Sequence, residues 1–337
     1  MLIHDNLNFH NTAELLPLGE DGFHPIRVPP GVREKLSPMG QQRLGEPFAI
    51  EIRFVNENPE EAAVITLSSP DENPASLVPY WGELSGPNII PIPDQPTAIS
   101  ISPHERFYTG KPVHFAASPF SRNVCRLVLQ GRSLRYHGIS GGSLRPPRPE
   151  ELPNQTLMTY GTSLTQGSCS QVQAFTYPSL LGRSLGYDVL NLGSGGSCFC
   201  EKEMADYLAS LSWDAAILDP CANLMAQDYS MDTFRERTTY LIDRLVETHP
   251  GKPILCISLI PAYIPTGDRP GRIEGFRNTL RELAEQAPEQ VAFFNADDAI
   301  NVFPNYSADL IHPSPHGYLQ IAQTLESPLK ALLGRPA

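Results

Sequence analysis

Up to about residue 145, apolar positions come in short runs that proline or glycine interrupts every ten residues or so. The clearest are Phe48-Ala-Ile-Glu-Ile-Arg-Phe-Val55, Ala63-Val-Ile-Thr-Leu67, Thr97-Ala-Ile-Ser-Ile101, Pro112-Val-His-Phe-Ala116 and Val124-Cys-Arg-Leu-Val-Leu129. They alternate with period two and no stretch sustains a helical period, which predicts an all-β, antiparallel sandwich. From about residue 154 the texture changes. Thr156–Tyr160, Asp188–Leu192, Ala215–Asp219, Pro253–Leu259 and Val291–Asn295 are short apolar runs suited to buried strands. Between and after them, helical spacing predicts helices over Glu201–Leu211, from an Asp232 N-cap to about Glu247, over Gly275–Ala287 and over Gly317–Leu333. Strands alternating with helices predict an α/β domain: a five-stranded parallel sheet covered on both faces, a three-layer α/β/α arrangement of the flavodoxin-like kind. The Gly- and Pro-rich stretch Gly138–Pro153 predicts a linker, and the division expected is 1–150 for the sandwich and 151–337 for the α/β domain.

Composition narrows the classes. At 337 residues, with 41% apolar and 18% charged residues, the chain is globular and long enough for two cores. Its 34 prolines suit many turns and edge strands. A formal net charge of −12 argues against a nucleic acid or an anionic membrane as partner, since both require a basic face, and neither is expected. The N-terminal residues show neither a basic nor an apolar leader region, and no run approaches the ~20 apolar residues of a membrane span, so a cytoplasmic protein is expected. Six cysteines are sparse for the length, and Cys198-Phe-Cys200 lacks zinc-knuckle spacing; no metal and no cofactor are expected.

The chemistry lies at strand ends. Ser163 follows the first predicted strand through Gly161-Thr162, which would place its hydroxyl over the sheet edge. An isolated serine there is most simply a helix cap, and Thr165 stands where the elbow Gly-x-Ser-x-Gly needs its second glycine. The loop Asn191-Leu-Gly-Ser-Gly-Gly-Ser-Cys198 permits close backbone approach, although Gly193-x-Gly195 also invites comparison with a dinucleotide loop. Cys198 occupies that motif's third glycine position, which makes a dinucleotide enzyme the weaker reading. Asn223, in Asp219-Pro-Cys-Ala-Asn223, can donate from its amide or simply form a turn. In Asp309-Leu-Ile-His312-Pro-Ser-Pro-His316, only His312 has a carboxylate three residues before it, and His316 reads as part of the following helix start. A serine, an imidazole and a carboxylate to orient it are the parts of nucleophilic acyl transfer.

These segments, in this order, resemble the SGNH (GDSL-type) hydrolases, a resemblance covering roughly residues 155–333. It implies an SGNH-like catalytic domain with Ser163 as nucleophile, His312 as base and Asp309 as its orienting acid. The backbone N–H groups of Ser163 and Gly196 and the Asn223 amide would form the oxyanion hole. Two departures stand out: Thr162 replaces the Asp of Gly-Asp-Ser-Leu, and Asp-Pro-Cys-Ala-Asn223 stands where Gly-x-Asn-Asp is more usual. Both are similar to a branch that carries an N-terminal β-sandwich, here jelly-roll or carbohydrate-binding-module-like. The activity implied is hydrolysis of acyl esters of a small molecule or carbohydrate. Acyl transfer to an alcohol acceptor through the same triad is the alternative.

Overall fold

The parallel sheet of the α/β part is built from strands whose side chains are hidden on both faces, as in Ala215–Asp219 and Ile254–Ile257, where every residue is buried. Such strands read as unbroken apolar runs because helices cover both sides. The computed structural model describes residues 2–58, 60–109, 118–262, 271–300 and 303–334. It divides into two units, Met1–Pro29 with Gly45–Asn154, and Pro30–Leu44 with Gln155–Ala337.

In the first unit, one antiparallel sheet runs in the order Leu2–His4, Leu7–His10, Glu51–Asn56, Val124–Gln130, Ser76–Trp81 and Leu84–Ser85. The other runs Thr97–Ile101, Ala63–Ser68, Arg135–Ser140, Phe23–Ile26 and Glu14–Pro17. Phe9, Ile52, Phe54, Ile65, Leu67, Leu127 and Tyr136 form the buried core of this β-sandwich. The run starting at Phe48 enters its strand only at Glu51, because Ala49 takes a left-handed φ of 58° that breaks the ladder. The run at 112–116 lies outside the described residues. The stretch 138–153 differs from a free linker: Leu144–Arg145 pairs with Glu51–Asn56, and Arg145 binds Glu57 at 2.7 Å and Glu151 at 2.7 and 2.8 Å.

The second unit holds five parallel strands in the order Asp188–Asn191, Thr156–Gly161, Ala215–Asp219, Ile254–Ile257 and Val291–Phe294. Helices Tyr177–Leu185 and Pro315–Leu332 pack together on one face, burying Leu181, Leu185, Ile321 and Leu325 against Leu157 and Ile217. Helices Lys202–Ser210, Met231–Thr248 and Arg272–Ala284 form the other layer. The cap of the middle one is Ser230, whose Oγ accepts from Thr233 N at 3.1 Å, so the cap and the helix start lie two residues before those expected from an Asp232 cap. Among the described residues, no helix is long and apolar enough to cross a membrane.

The strand order decides where a ligand sits. From Thr156–Gly161 the chain moves to one side of the sheet, then crosses to Ala215–Asp219 on the other. The crevice at such a reversal, beyond the carboxyl ends of the strands, is the usual site in open α/β sheets. Here Gly161 and Asp219 are register partners at that end.

Candidate active site

Ser163 is the first residue of a short helix, Ser163–Gln166, that begins where the strand Thr156–Gly161 ends. Thr162 caps it, its Oγ1 accepting from Leu164 N at 3.4 Å, and Gly167 closes it with a left-handed φ of 103°. At the first position of a helix the backbone N–H has no intrahelical acceptor. Ser163 N–H has none elsewhere among the described residues either.

His312 comes from a tight turn before the helix Pro315–Leu332. Ser307 N donates to His312 O at 2.8 Å, and Leu310 takes a left-handed φ of 59° to close the turn. Asp309 Oδ1 accepts from Ser307 Oγ at 2.5 Å and from Ile311 N and His312 N at 2.9 Å each. Its Oδ2 takes His312 Nδ1–H at 2.6 Å. Partial burial works to raise the Asp309 pKa, but the His312 bond and the other donors outweigh it and hold the carboxyl well below the usual range. With Nδ1 donating, Nε2 is the accepting nitrogen, and Ser163 Oγ–H donates to it at 2.8 Å. The structure thus brings together three residues from opposite ends of this unit. His316 lies exposed on the first turn of the final helix, apart from this chain of bonds.

The loop after Asp188–Asn191 is locked onto the Ser163 helix. Asn191 Nδ2 donates to Thr165 O at 2.7 Å and Asn191 Oδ1 accepts from Gly193 N at 2.9 Å. A Cβ at Gly193 would come within 2.1 Å of Gln166 N, so only glycine permits this approach. Gln166 Oε1 takes the Gly195 N–H at 2.6 Å. That bond separates the two neighbouring glycines: Gly195 N–H is spent on the scaffold, while Gly196, at φ 74°, has no acceptor among the described residues. Asn223, 9% exposed, sits on the helix Cys221–Ala226. Its Oδ1 accepts from Cys198 N at 3.0 Å, which assigns the amide orientation and leaves Nδ2 as a donor.

The two segments that depart from the usual motifs, one at Thr162 and one at Asp219–Asn223, turn out to touch. Thr162 Oγ1 donates to Asp219 Oδ2 at 2.7 Å, with Thr162 N and Thr165 Oγ1 each at 3.4 Å. Burial pushes the Asp219 carboxyl up to about 6, against the lowering effect of these bonds. Thr165 Oγ1 also meets the Tyr177 hydroxyl at 2.7 Å.

Sequence reasoning missed Asp219 and Gln166 as neighbours of the serine, since each needs two distant segments to meet. It missed Cys169 too. Five of the six cysteines are buried, whereas Cys169 is exposed, with a left-handed φ of 64°. Its Sγ, a His312 ring nitrogen and an Asp309 oxygen lie within 4.8 Å of one another. His312 therefore has more potential ligand atoms around it than the spacing along the chain suggests. In the geometry seen, the Asp309–His312 pair is joined by a hydrogen bond.

Taken as chemistry, the arrangement can remove a proton from a hydroxyl and hold an imidazolium beside a carboxylate. It can also present N–H donors to a developing negative charge. The sequence profile of the GDSL-like lipase/acylhydrolase family matches residues 154–330. The chain belongs to that family. No curated protein matches the sequence at a significant level. Among solved structures, this GDSL-like chain is similar to a salicylyl-acyltransferase, SsfX3, from a tetracycline biosynthetic pathway, at 16% identity and a TM-score of 0.80, over 97% of this chain and 95% of that one. A GDSL-like lipase from Bacteroides ovatus shares 18% identity with a TM-score of 0.70, over 98% of both chains. An acetyl xylan esterase, Est2A, from the rumen bacterium Butyrivibrio proteoclasticus shares 13% with a TM-score of 0.60, over 99% and 96%. At these identities the likeness is one of fold, an SGNH domain accompanied by a β-sandwich. The GDSL-like protein is an esterase or acyltransferase.

Proposed function

We propose that the protein hydrolyses acyl esters of a small molecule or carbohydrate through an acyl-Ser163 intermediate. Ser163 Oγ attacks the ester carbonyl as His312 Nε2 takes its proton, and Asp309 keeps the imidazole in the Nδ1–H tautomer. The negative charge that forms on the carbonyl oxygen meets the N–H groups of Ser163 and Gly196 and the Nδ2 amide of Asn223. His312 then protonates the leaving alcohol. Water attacks the acyl carbonyl with His312 again as base, the bond from the acyl carbon to Ser163 Oγ breaks as His312 returns the proton to that oxygen, and the carboxylic acid departs. The observation that carries this reading is the continuous chain Ser163 Oγ–His312 Nε2 at 2.8 Å and His312 Nδ1–Asp309 Oδ2 at 2.6 Å.

An acyltransferase would share every step up to the acyl-enzyme and differ only in the final acceptor. Net hydrolysis is the simpler outcome, because water needs no second binding site. The test is labelling with a fluorophosphonate followed by product partitioning. Ser163→Ala should lose both the label and ester turnover. Label that persists at Ser168 or Ser197 would defeat the assignment. Rising concentrations of sugar or phenolic acceptors should leave free acid as the main product. One acceptor that captures nearly all of the acyl group while turnover in water alone is negligible would show acyl transfer instead.

A further inference from the structure

The residues 30–44 lie between sandwich strands in the sequence yet belong to the second unit. They carry a helix, Pro38–Gly45, of which Leu44 is buried, and Leu36 just before it is buried too. Met39 is the exception, a large apolar side chain left 42% exposed. Its Sδ lies against Gly196: a Cβ at that glycine would come within 2.8 Å of it. The placement is anchored. Ser37 N donates to Glu201 Oε1 at 2.6 Å, and Ser37 Oγ accepts from Gly40 N at 3.3 Å in the first turn of the helix. Glu201 follows directly on the loop that bears Gly196, so a single short stretch of chain fixes both the free N–H of Gly196 and the helix that carries Met39.

We propose that Met39 is a specificity-determining residue that walls the acyl side of the cleft and sets the size of the acyl group accepted, with Glu201 as the residue that positions it. This rests on the esterase reading above. In the tetrahedral intermediate the leaving oxygen must face His312 Nε2, from which it takes a proton, and the carbonyl oxygen faces Gly196. The acyl substituent points away from His312, so an apolar group beside Gly196 meets the acyl part and not the alcohol. A thioether on an unbranched chain is polarizable and adaptable, which suits an apolar acyl group. Exposing such a side chain at this position makes sense when a substrate covers it.

The experiment uses the full chain and two ester series. In the first, p-nitrophenyl acetate, butyrate and octanoate vary the acyl group at a constant leaving group. In the second, phenyl and naphthyl acetates vary the alcohol at a constant acyl group. Met39→Ala should raise the ratio of kcat/KM for octanoate over acetate by about tenfold, the scale on which hydrophobic pockets discriminate. Met39→Phe should lower that ratio, and the alcohol series should keep its wild-type ratios. Glu201→Ala should move the acyl ratio as Met39→Ala does, and Glu201→Gln should restore it, because its amide oxygen still accepts from Ser37. An acyl ratio within about twofold of wild type in both Met39 variants would overturn the proposal. So would a change confined to the alcohol series, or equal loss on all esters. Wild-type protein that neither cleaves these esters nor reacts with a fluorophosphonate at Ser163 would overturn the esterase reading itself, an outcome distinct from wild-type turnover with unmoved ratios.

Discussion

Replacing Asp219 with asparagine should change how stability depends on pH while leaving the shape of the site intact. Asp219 is buried, bonded by Thr162 and Thr165, with no cation bonded to it among the described residues. Tyr177, Cys198 and Cys221, which surround it, are pushed up by burial and remain neutral near pH 7. Its pKa rises from 3.8 to about 6 on folding, so between those values the native state binds more protons than the unfolded chain. The associated stability is present below pH 3.8 and is lost as pH rises through 6. The full effect is about 3 kcal/mol. About half of it is already lost at pH 5, which leaves about 1.4 kcal/mol between pH 5 and pH 8. Asparagine keeps an oxygen to accept from Thr162 and carries no charge to desolvate, so the variant should lack this slope. The chain has two tryptophans, one in each unit. In a Trp81→Phe background, Trp213, which stacks on His249, therefore reports on the α/β unit alone. Urea unfolding at pH 5 and pH 8 for the proteins with and without Asp219→Asn gives a difference of differences, and the variant should gain on the parent by about 1.4 kcal/mol at the higher pH. Parallel stability curves would refute the account of a charge buried without compensation.

His312→Ala should cost at least ~10³ in kcat, while His316→Ala should cost less than about tenfold, since only His312 is bonded to both Ser163 and a carboxylate. Equal losses by steady-state kinetics would reverse their roles. Asn223→Ala should lower kcat by about 10²–10³ with little change in KM, because in the proposed mechanism its Nδ2 meets charge that develops only during the reaction. A rise in KM at constant kcat would instead make Asn223 a ground-state binding group.

The strands and the Asp309–His312 pair were legible because they are local. A buried parallel strand must be apolar at nearly every position, so Ala215–Asp219 was found to the residue. A turn that joins residues three apart places Asp309 beside His312 whatever else the chain does. Likewise Ser163 is committed to a strand end by Gly161 and by the cap at Thr162. Helix starts were less legible: a cap depends on which hydroxyl reaches a free N–H, and Ser230 won over Asp232. What no local pattern carries is the meeting of segments far apart in sequence. Residues 30–44 show no break from the sandwich texture, yet they fold onto the second unit, held there by Ser37 and Glu201, which are 164 residues apart. Thr162 and Asp219 looked like two unrelated departures until the register of adjacent strands set Gly161 beside Asp219 and joined them. The resemblance names Gly196 as a donor, but why Gly195 is not one lies in tertiary structure, because the Gln166 side chain, 29 residues away, takes the Gly195 N–H. Periodicity and spacing report the faces and turns that a chain forms with itself over a few residues. Which buried groups find partners, and which donors are left free for a substrate, is decided only when the sheet closes and its loops come together.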